Sequence, residues 1–276
     1  VAHYIYHKVH NTKCVLGLPT GSTPIQVYNN LIDMKTNFQN VTTFNMDEYI
    51  GLPPDHHQSY HYFMNYYLFN KTKFYQNNIP DGMAYDIVNE CKEYEQKIKD
   101  SGGIDLFLCG IGTDGHLAFN EPGSSFSSVT RIKTLTSQTI SDNSRHFKYE
   151  NIPTTAITVG LQTIMDAKEI IIMASGINKS TAIKYCVEGP MSTQYPCSIA
   201  QNHTNATVVI DYDAANELMY KTIKYYIDLQ KKIDLFGNTI TNYVNKHIFY
   251  HDKILITSPH PDDDVIGMGG TMDILP

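Results

Sequence analysis

The fold of this chain is decided by the stretch Ile104-Asp105-Leu106-Phe107-Leu108-Cys109-Gly110-Ile111-Gly112-Thr113-Asp114-Gly115-His116. Its apolar run, Ile104–Cys109, predicts a buried strand, and a glycine-rich loop follows at once. Open α/β sheets bind their ligands at the carboxyl ends of their strands. We therefore expect such a sheet, with Asp114 and His116 at its ligand-binding edge.

Short apolar runs alternate with helical patterns on both sides of this stretch. The other predicted strands are Lys13–Leu18, Val41–Met46, Ala156–Val159, Glu169–Ala174 and Thr207–Ile210. The predicted helices are Pro24–Met34, Ser59–Phe69, Asp86–Asp100, Lys179–Val187 and Asp213–Leu229. Such alternation is typical of a Rossmann-like α/β fold, in which a mostly parallel sheet carries helices on both faces.

Composition excludes several classes of protein. The 276 residues carry a net charge of −7 and no dense basic patch, which argues against nucleic acid as a partner. No apolar run reaches the roughly 18 residues that a membrane span needs, and the first residues do not resemble a secretory signal peptide. The five cysteines are scattered without a CxxC pair, which predicts free thiols in a reducing cytoplasm.

Acidic residues and an imidazole follow two of the predicted strands. Asp114, His116 and Glu121 lie within eight positions and can move protons near neutral pH. Asp47 and Glu48 end another strand, where neighbouring side chains point in opposite directions. We expect one of these two carboxylates to face a site while the other is solvated or paired.

A third strand end offers an anion-binding loop. Gly21 lets the backbone approach an anion, and Ser22 and Thr23 supply hydroxyls just before a helix N-terminus. The loop lacks the Gly-Lys-Ser/Thr ending of a Walker A motif. It suits a phosphate, although an ordinary capped turn would have the same composition.

Three motifs together resemble one enzyme family. They are Asn45-Met46-Asp47-Glu48-Tyr49, the segment Gly110–Pro122 with its ending Ala118-Phe119-Asn120-Glu121-Pro122, and Arg131-Ile132-Lys133-Thr134-Leu135-Thr136. From about Lys13 to Tyr226 the chain is similar to the glucosamine-6-phosphate deaminases. The resemblance implies isomerisation and deamination of glucosamine 6-phosphate to fructose 6-phosphate and ammonia, in amino-sugar catabolism, without a metal or organic cofactor.

The resemblance also implies a role for each catalytic residue. Asp47 would be the base that moves a proton between C2 and C1 of the opened sugar. His116 would assist ring opening, with Asp114 and Glu121 orienting it and setting its protonation. An aldose–ketose isomerisation does need one carboxylate near the carbon-bound proton and a separate acid/base at the ring oxygen.

Two binding sites follow from the same resemblance. The substrate phosphate would be held by Gly21, Ser22, Thr23, Arg145 and Lys179. Some family members bind an activator, N-acetylglucosamine 6-phosphate, between the subunits of a hexamer. The matching positions are Ser124, Ser125, Arg131 and Lys133, so the resemblance predicts a homo-oligomer with an allosteric site.

The C-terminal segment resembles a different family. We expect one domain over residues 1–230, a linker over 231–252, and the start of an LmbE/PIG-L-like zinc deacetylase over 253–276. By that resemblance His260 and Asp263 would be metal ligands and Asp262 a base. A catalytic zinc site needs about three protein ligands. The family's later histidine would lie beyond Pro276, so we predict no working metal site.

Two other functions remain possible on the sequence. A 6-phosphogluconolactonase-like hydrolase shares the loop at residue 21 and an Asp-Gly-His turn, but it lacks the ending Ala118–Pro122 seen here. A catalytically silent sugar-phosphate sensor should have lost Asp47 or His116, and both are present. The deaminase is the preferred prediction.

Overall fold

The computed structural model describes residues 1–10, 12–144 and 152–219, together with the strand residues 250–251 and 254–257. The strands are β1 (Cys14–Leu18), β2 (Val41–Asn45), β3 (Asp47–Tyr49), β4 (Gln76–Asn78), β5 (Leu106–Gly110), β6 (Arg131–Thr134), β7 (Thr155–Thr158), β8 (Ile170–Ala174), β9 (Ala206–Ile210), β10 (Tyr250–His251) and β11 (Ile254–Thr257). The α-helices are α1 (Ala2–Val9), α2 (Ile25–Asp33), α3 (Tyr60–Met64), α4 (Ile87–Asp100), α5 (Ser137–Ser144), α6 (Leu161–Met165) and α7 (Ser180–Val187). A π-helical turn, Asn65–Phe69, continues α3, and short 3₁₀ turns cover Ile177–Lys179 and Pro196–Asn202.

Eight strands form the main sheet, in the order β10-β11-β9-β8-β5-β1-β2-β4. Neighbours from β9 to β4 pair in parallel, whereas β11 pairs antiparallel with β9, and β10 with β11. The carboxyl ends of β8, β5, β1 and β2 therefore lie side by side. This arrangement confirms the predicted mostly parallel α/β fold.

Both faces of the main sheet are buried. Along β5, Leu106 and Leu108 pack into one apolar cluster, while Phe107 and Cys109 pack into another. The first cluster includes side chains of α1 and α2, and the second includes side chains of α4, α6 and α7. Side chains alternate along a strand, so a run without polar residues requires cover on both faces. The helices on both faces supply that cover.

A second sheet has three antiparallel strands in the order β3-β7-β6. Asp47 on β3 and Arg131 on β6 both pair with Thr158 on β7, so the three residues form one row across this sheet. The predicted strand Val41–Met46 thus ends at Asn45, and the chain passes from the main sheet to the second sheet at Met46. Asp47 is therefore carried by the second sheet rather than by the main one.

Two predictions about helices need correction. The sequence reasoning missed α1, which docks where Tyr4 and Lys8 bond to Glu169. The predicted helix Asp213–Leu229 is wrong at its start, because residues 212–217 form successive turns. The Asp211 carboxylate there accepts hydrogen bonds from Ala214 N at 2.9 Å and from Gly176 N, which favours a turn. Residues 220–229 lie outside the described part of the chain.

None of the helices in the described ranges is long and apolar enough to cross a membrane. The five cysteines, all within those ranges, are buried and free, as predicted.

Candidate active site

Four neighbouring strands deliver the predicted residues to one edge of the main sheet. The loop with Asp114 and His116 follows β5, and the Gly21 loop follows β1. Asp47 comes just after β2, and Lys179 follows β8. The structure thus brings these residues together at the edge where ligands bind in open α/β sheets.

The loop after β5 is shaped by two glycines. Gly112 N donates to His116 O at 2.9 Å, and Gly115 N donates to Gly112 O at 3.1 Å. A Cβ on Gly112 would lie 2.3–2.6 Å from atoms of the His116 ring. Gly115 has φ +83°, a conformation that favours glycine. The imidazole thus packs directly on the backbone of its own loop.

Asp114 and His116 form a close pair. Asp114 Oδ1 lies 2.7 Å from His116 Nδ1, and it also accepts from the His116 backbone N at 3.2 Å. Burial acts to raise the pKa of Asp114, but the hydrogen bond and charge of His116 outweigh burial and lower that pKa to about 2. Asp114 is therefore ionised at neutral pH and places a negative charge beside the imidazole of His116.

Glu121 approaches the same imidazole nitrogen from the interior. It is 1% exposed, and its Oε2 lies 3.9 Å from His116 Nδ1. Its other oxygen, Oε1, accepts from Thr139 Oγ1 at 2.6 Å and from Thr136 N at 3.3 Å. Oε2 accepts no hydrogen bond from the residues that the structure describes.

The structure separates the roles of Asp47 and Glu48. Glu48 is fully buried and accepts from the backbone N of Tyr49, Tyr60 and His61 and from His61 Nδ1, at 2.8–3.0 Å. It therefore caps α3. Asp47 is 5% exposed, and its Oδ1 has no hydrogen-bond partner within the described ranges.

The electrostatics of Asp47 differ from those of an ordinary surface carboxylate. Burial, and then the charge of Glu48, raise the pKa of Asp47 well above its usual value near 3.8. Burial, Cys186 and then Asp47 raise the pKa of Cys109, on β5. Asp47 thus acts on groups at the end of the strand that carries the His116 loop.

The structure describes four of the five predicted phosphate-binding residues. Gly21 has φ +90°, and the hydroxyls of Ser22 and Thr23 make no hydrogen bond among the described residues. Lys179 Nζ donates to Ile111 O at 2.7 Å, so its side chain reaches the loop that carries His116. Arg145 lies outside the described residues.

The sequence profile of the family described as glucosamine-6-phosphate isomerases/6-phosphogluconolactonase matches residues 2–209. The chain belongs to this family. Its relatives include the glucosamine-6-phosphate deaminase of Fusobacterium nucleatum, 49% identical over 242 residues, which are 85% of this chain and 88% of the relative. The glucosamine-6-phosphate deaminase of Glaesserella parasuis is 50% identical over 227 residues, which are 79% of this chain and 86% of that protein.

Solved structures of a deaminase and of a lactonase have folds similar to that of this chain. A monomeric glucosamine-6-phosphate deaminase matches with a TM-score of 0.73 and 39% identity, over 78% of this chain and 95% of that one. The 6-phosphogluconolactonase from Trypanosoma cruzi matches with a TM-score of 0.62 and 19% identity, over 78% and 89% of the two chains. At that identity the lactonase shows the shared fold alone.

The residues that match the family's activator site lie beside the catalytic loop. Lys133 Nζ donates to Ser124 Oγ at 3.2 Å, and Arg131 Nη1 donates to Asn120 Oδ1 at 2.9 Å. Burial, and then the charge of Arg131, lower the pKa of Lys133. Ser125 is exposed and pairs with Ser127. Arg131 and Lys133 alternate with Ile132 along the strand and thus lie on one side of β6.

The sequence reasoning missed the residues that hold the loop in place. Asn120 is fully buried, and its Nδ2 donates to Leu117 O at 2.9 Å and to Val159 O at 2.8 Å. Thr158 Oγ1 accepts from Phe119 N at 3.0 Å, and Thr139 holds Glu121. The family motif contains Asn120, but nothing local to Thr139 or Thr158 marks them.

The catalytic cluster also has the composition of a metal site. The donor atoms of Asp114, His116 and Glu121 lie within 4.8 Å of one another, and no other such group occurs in the ranges that the structure describes. The resemblance predicts a reaction without metal, and that stays a prediction.

Proposed function

We propose that this chain converts glucosamine 6-phosphate to fructose 6-phosphate and ammonia. The observation that carries the proposal is a buried Asp47 carboxylate whose Oδ1 has no partner among the described residues, at the same sheet edge as the Asp114–His116 pair. One group can work at the carbon-bound proton while the other works at the ring oxygen. The names of the relatives that are about half identical support the same activity.

Asp47 takes the part of the base. Its pKa is raised above that of an ordinary aspartate, which suits a group that accepts a proton from C2 and returns it at C1. Among the described residues nothing donates to its Oδ1, which leaves a lone pair for that proton. Glu48 is committed to α3 and has no such freedom.

His116 takes the part of the acid at the ring oxygen. Asp114 Oδ1 lies 2.7 Å from Nδ1, so Nε2 is the nitrogen proposed to face the sugar. An imidazole that donates to the ring oxygen must carry positive charge, and Asp114 and Glu121 both place a carboxylate near its Nδ1.

The sugar phosphate would lie between the loops after β1 and β8. Ser22 and Thr23 offer hydroxyls, Gly21 offers open backbone, and Lys179 offers a positive charge close to the catalytic loop. Arg145 would add a bidentate contact.

The decisive experiment is incubation of the chain with glucosamine 6-phosphate, followed by assays for ammonia and fructose 6-phosphate. Both products should form in equal amounts. Hydrolysis of 6-phosphogluconolactone without ammonia release would support the lactonase alternative. Binding of the sugar phosphate without turnover would support the sensor.

The activator site and the assembly are also proposals. Arg131 and Lys133 place two positive charges on one side of β6, as an anionic activator requires. N-acetylglucosamine 6-phosphate should raise the rate at low substrate, and Lys133→Ala should abolish that response. Sedimentation should show a homo-oligomer. The monomeric deaminase that matches this chain makes a monomer the informative contrary result.

We further propose a cytoplasmic location, supported by the five free thiols.

We also propose a domain boundary near residue 253. Ile254–Thr257 pairs with β9 in the main sheet, so the proposed boundary rests on the sequence resemblance and not on this strand; His260, Asp262 and Asp263 lie outside the described residues. Limited proteolysis that releases a stable core over residues 1–230 would support the boundary. Stoichiometric zinc in the purified chain would contradict the incomplete metal site.

A further inference from the structure

We infer that Thr139 is a positioning residue for the acid/base group at the ring oxygen, acting through Glu121. This inference rests on the proposed function. Thr139 donates its hydroxyl proton to Glu121 Oε1 at 2.6 Å and is itself 5% exposed. The bond therefore lies in the interior, where water cannot replace a lost donor.

The first turn of α5 is built around this bond. Thr139 N donates to Thr136 Oγ1 at 3.3 Å, which caps the helix. Thr136 Oγ1 donates in turn to Thr139 Oγ1 at 3.3 Å, and Thr136 N reaches Glu121 Oε1 at 3.3 Å. With its lone pair engaged by Thr136, the Thr139 hydroxyl has Glu121 as the acceptor for its proton.

This arrangement decides which way the Glu121 carboxylate faces. Both donors engage Oε1, so Oε2 is the oxygen that lies 3.9 Å from His116 Nδ1 and accepts no hydrogen bond from the described residues. Without the hydroxyl, Oε1 would be a buried oxygen with one weaker donor, and the carboxylate could rotate away from His116. Thr139 thereby keeps negative charge aimed at the imidazole.

The same hydrogen bond places a donor on the carboxylate whose other oxygen faces His116. The other charged groups that face Glu121 are Asp114 and His116 on its own loop and Lys133 on β6. Removing the hydroxyl changes none of these groups. A change in the pH dependence of turnover would therefore report the hydrogen bond itself.

The test compares Thr139→Val and Thr139→Ser with Thr163→Val in the full chain. Thr163 is a matched control outside the site. It is 4% exposed, and it donates to another carboxylate, Glu95 Oε1, at 2.5 Å. In Thr139→Val, kcat should fall by about 10- to 100-fold with KM within about threefold of the parent. Its pH–kcat profile should also differ from that of the parent.

Thr139→Ser keeps the donor and should stay within about threefold of the parent kcat. Thr163→Val should keep the parent kcat and pH profile even if its melting temperature falls. If Thr139→Val does not fold, Thr139→Ala, which leaves a small cavity instead, takes its place beside the serine variant. Equal kcat and equal pH profiles for the position-139 and position-163 variants would overturn the inference. A parent chain that releases no ammonia would instead overturn the proposed function.

Discussion

At the scale of single residues, Asp47 combines catalysis with a cost in stability. Its pKa is raised in the folded chain, so the folded chain binds the proton more tightly than the unfolded chain does. The contribution of Asp47 to stability is thus most favourable below its ordinary value near 3.8 and falls as pH rises above it. A functional carboxylate has been buried at the expense of folding free energy.

Asp47→Asn should therefore lose activity and gain stability. Turnover should fall by at least about 10²-fold, because the base is gone, while binding of glucosamine 6-phosphate stays largely intact. Urea unfolding at pH 7 should show a gain of about 1 kcal/mol, which shrinks toward pH 4. Ammonia release at the parent rate would show that Asp47 is not the base.

Glu48→Gln should lower the stability of the fold, whereas Asp47→Asn should raise it. Glu48 accepts three backbone hydrogen bonds and faces His61 Nδ1, so its neutral isostere leaves buried donors poorly paired. Unfolding in urea should show a loss of about 1–3 kcal/mol. A stability equal to that of the parent would remove Glu48 from the capping of α3.

At the scale of single elements, the loop after β5 depends on a missing side chain. A methyl group on Gly112 would overlap the imidazole of His116 at 2.3–2.6 Å. Gly112→Ala should lower kcat by about 10²-fold, because the ring must move by about an ångström. Gly110→Ala is the control in the same segment, since its Cβ would meet no atom within 4 Å. Equal rates for the two variants would contradict this view of the loop.

The turn between β8 and α7 provides a second test at this scale. Lys179 Nζ is anchored on Ile111 O, which holds a positive charge next to the catalytic loop. Lys179→Ala should raise KM for glucosamine 6-phosphate, because a phosphate contact is lost. Lys184→Ala, on α7, serves as the control. An unchanged KM in the first variant would exclude Lys179 from the phosphate site.

The elements also show what a sequence can predict. Strands β1, β5 and β8 were found because a strand buried on both faces is an unbroken apolar run. Helix α1 was missed because it is only eight residues long and because His3, His7 and Lys8 interrupt its apolar residues. Among site residues, Asp114 and His116 share one loop and one motif. Thr139 acts across 18 positions of the chain, and no local pattern records that contact.

At the scale of the whole molecule, a buried polar cluster lies at the edge of the main sheet opposite the proposed active site. At the amino-terminal edge, Glu169 is 1% exposed and accepts from Tyr4 at 2.5 Å and from Lys8 at 2.7 Å. A cavity of about 230 Å³ lies beside them, lined also by Asp105 and Lys168. The catalytic loops lie at the carboxyl ends of the same strands.

Tyr4→Phe should therefore lower the stability of the fold without changing the activity. It removes one buried donor to Glu169, so unfolding in urea should show a loss of about 1–3 kcal/mol. Its kcat and KM for glucosamine 6-phosphate should equal those of the parent at a temperature where both are folded. A fall in kcat without a fall in stability would mean that the two edges are coupled.

Because Asp47 and Glu48 are neighbours with different roles, the site is sensitive to a shift in the register of β3 against β7. Successive residues of a strand face opposite sides, so a slip of one residue against β7 would pair Glu48 with Thr158 in place of Asp47. The carboxylate at that position would then carry one extra methylene, and Tyr49 would stand where Glu48 now caps α3. The register of β3 against β7 thus determines which acid faces the site. It pairs Asp47, Glu48 and Tyr49 with Thr158, Ile157 and Ala156. A single inserted or deleted residue between β2 and β3 would change the chemistry of the site without altering any side chain in it.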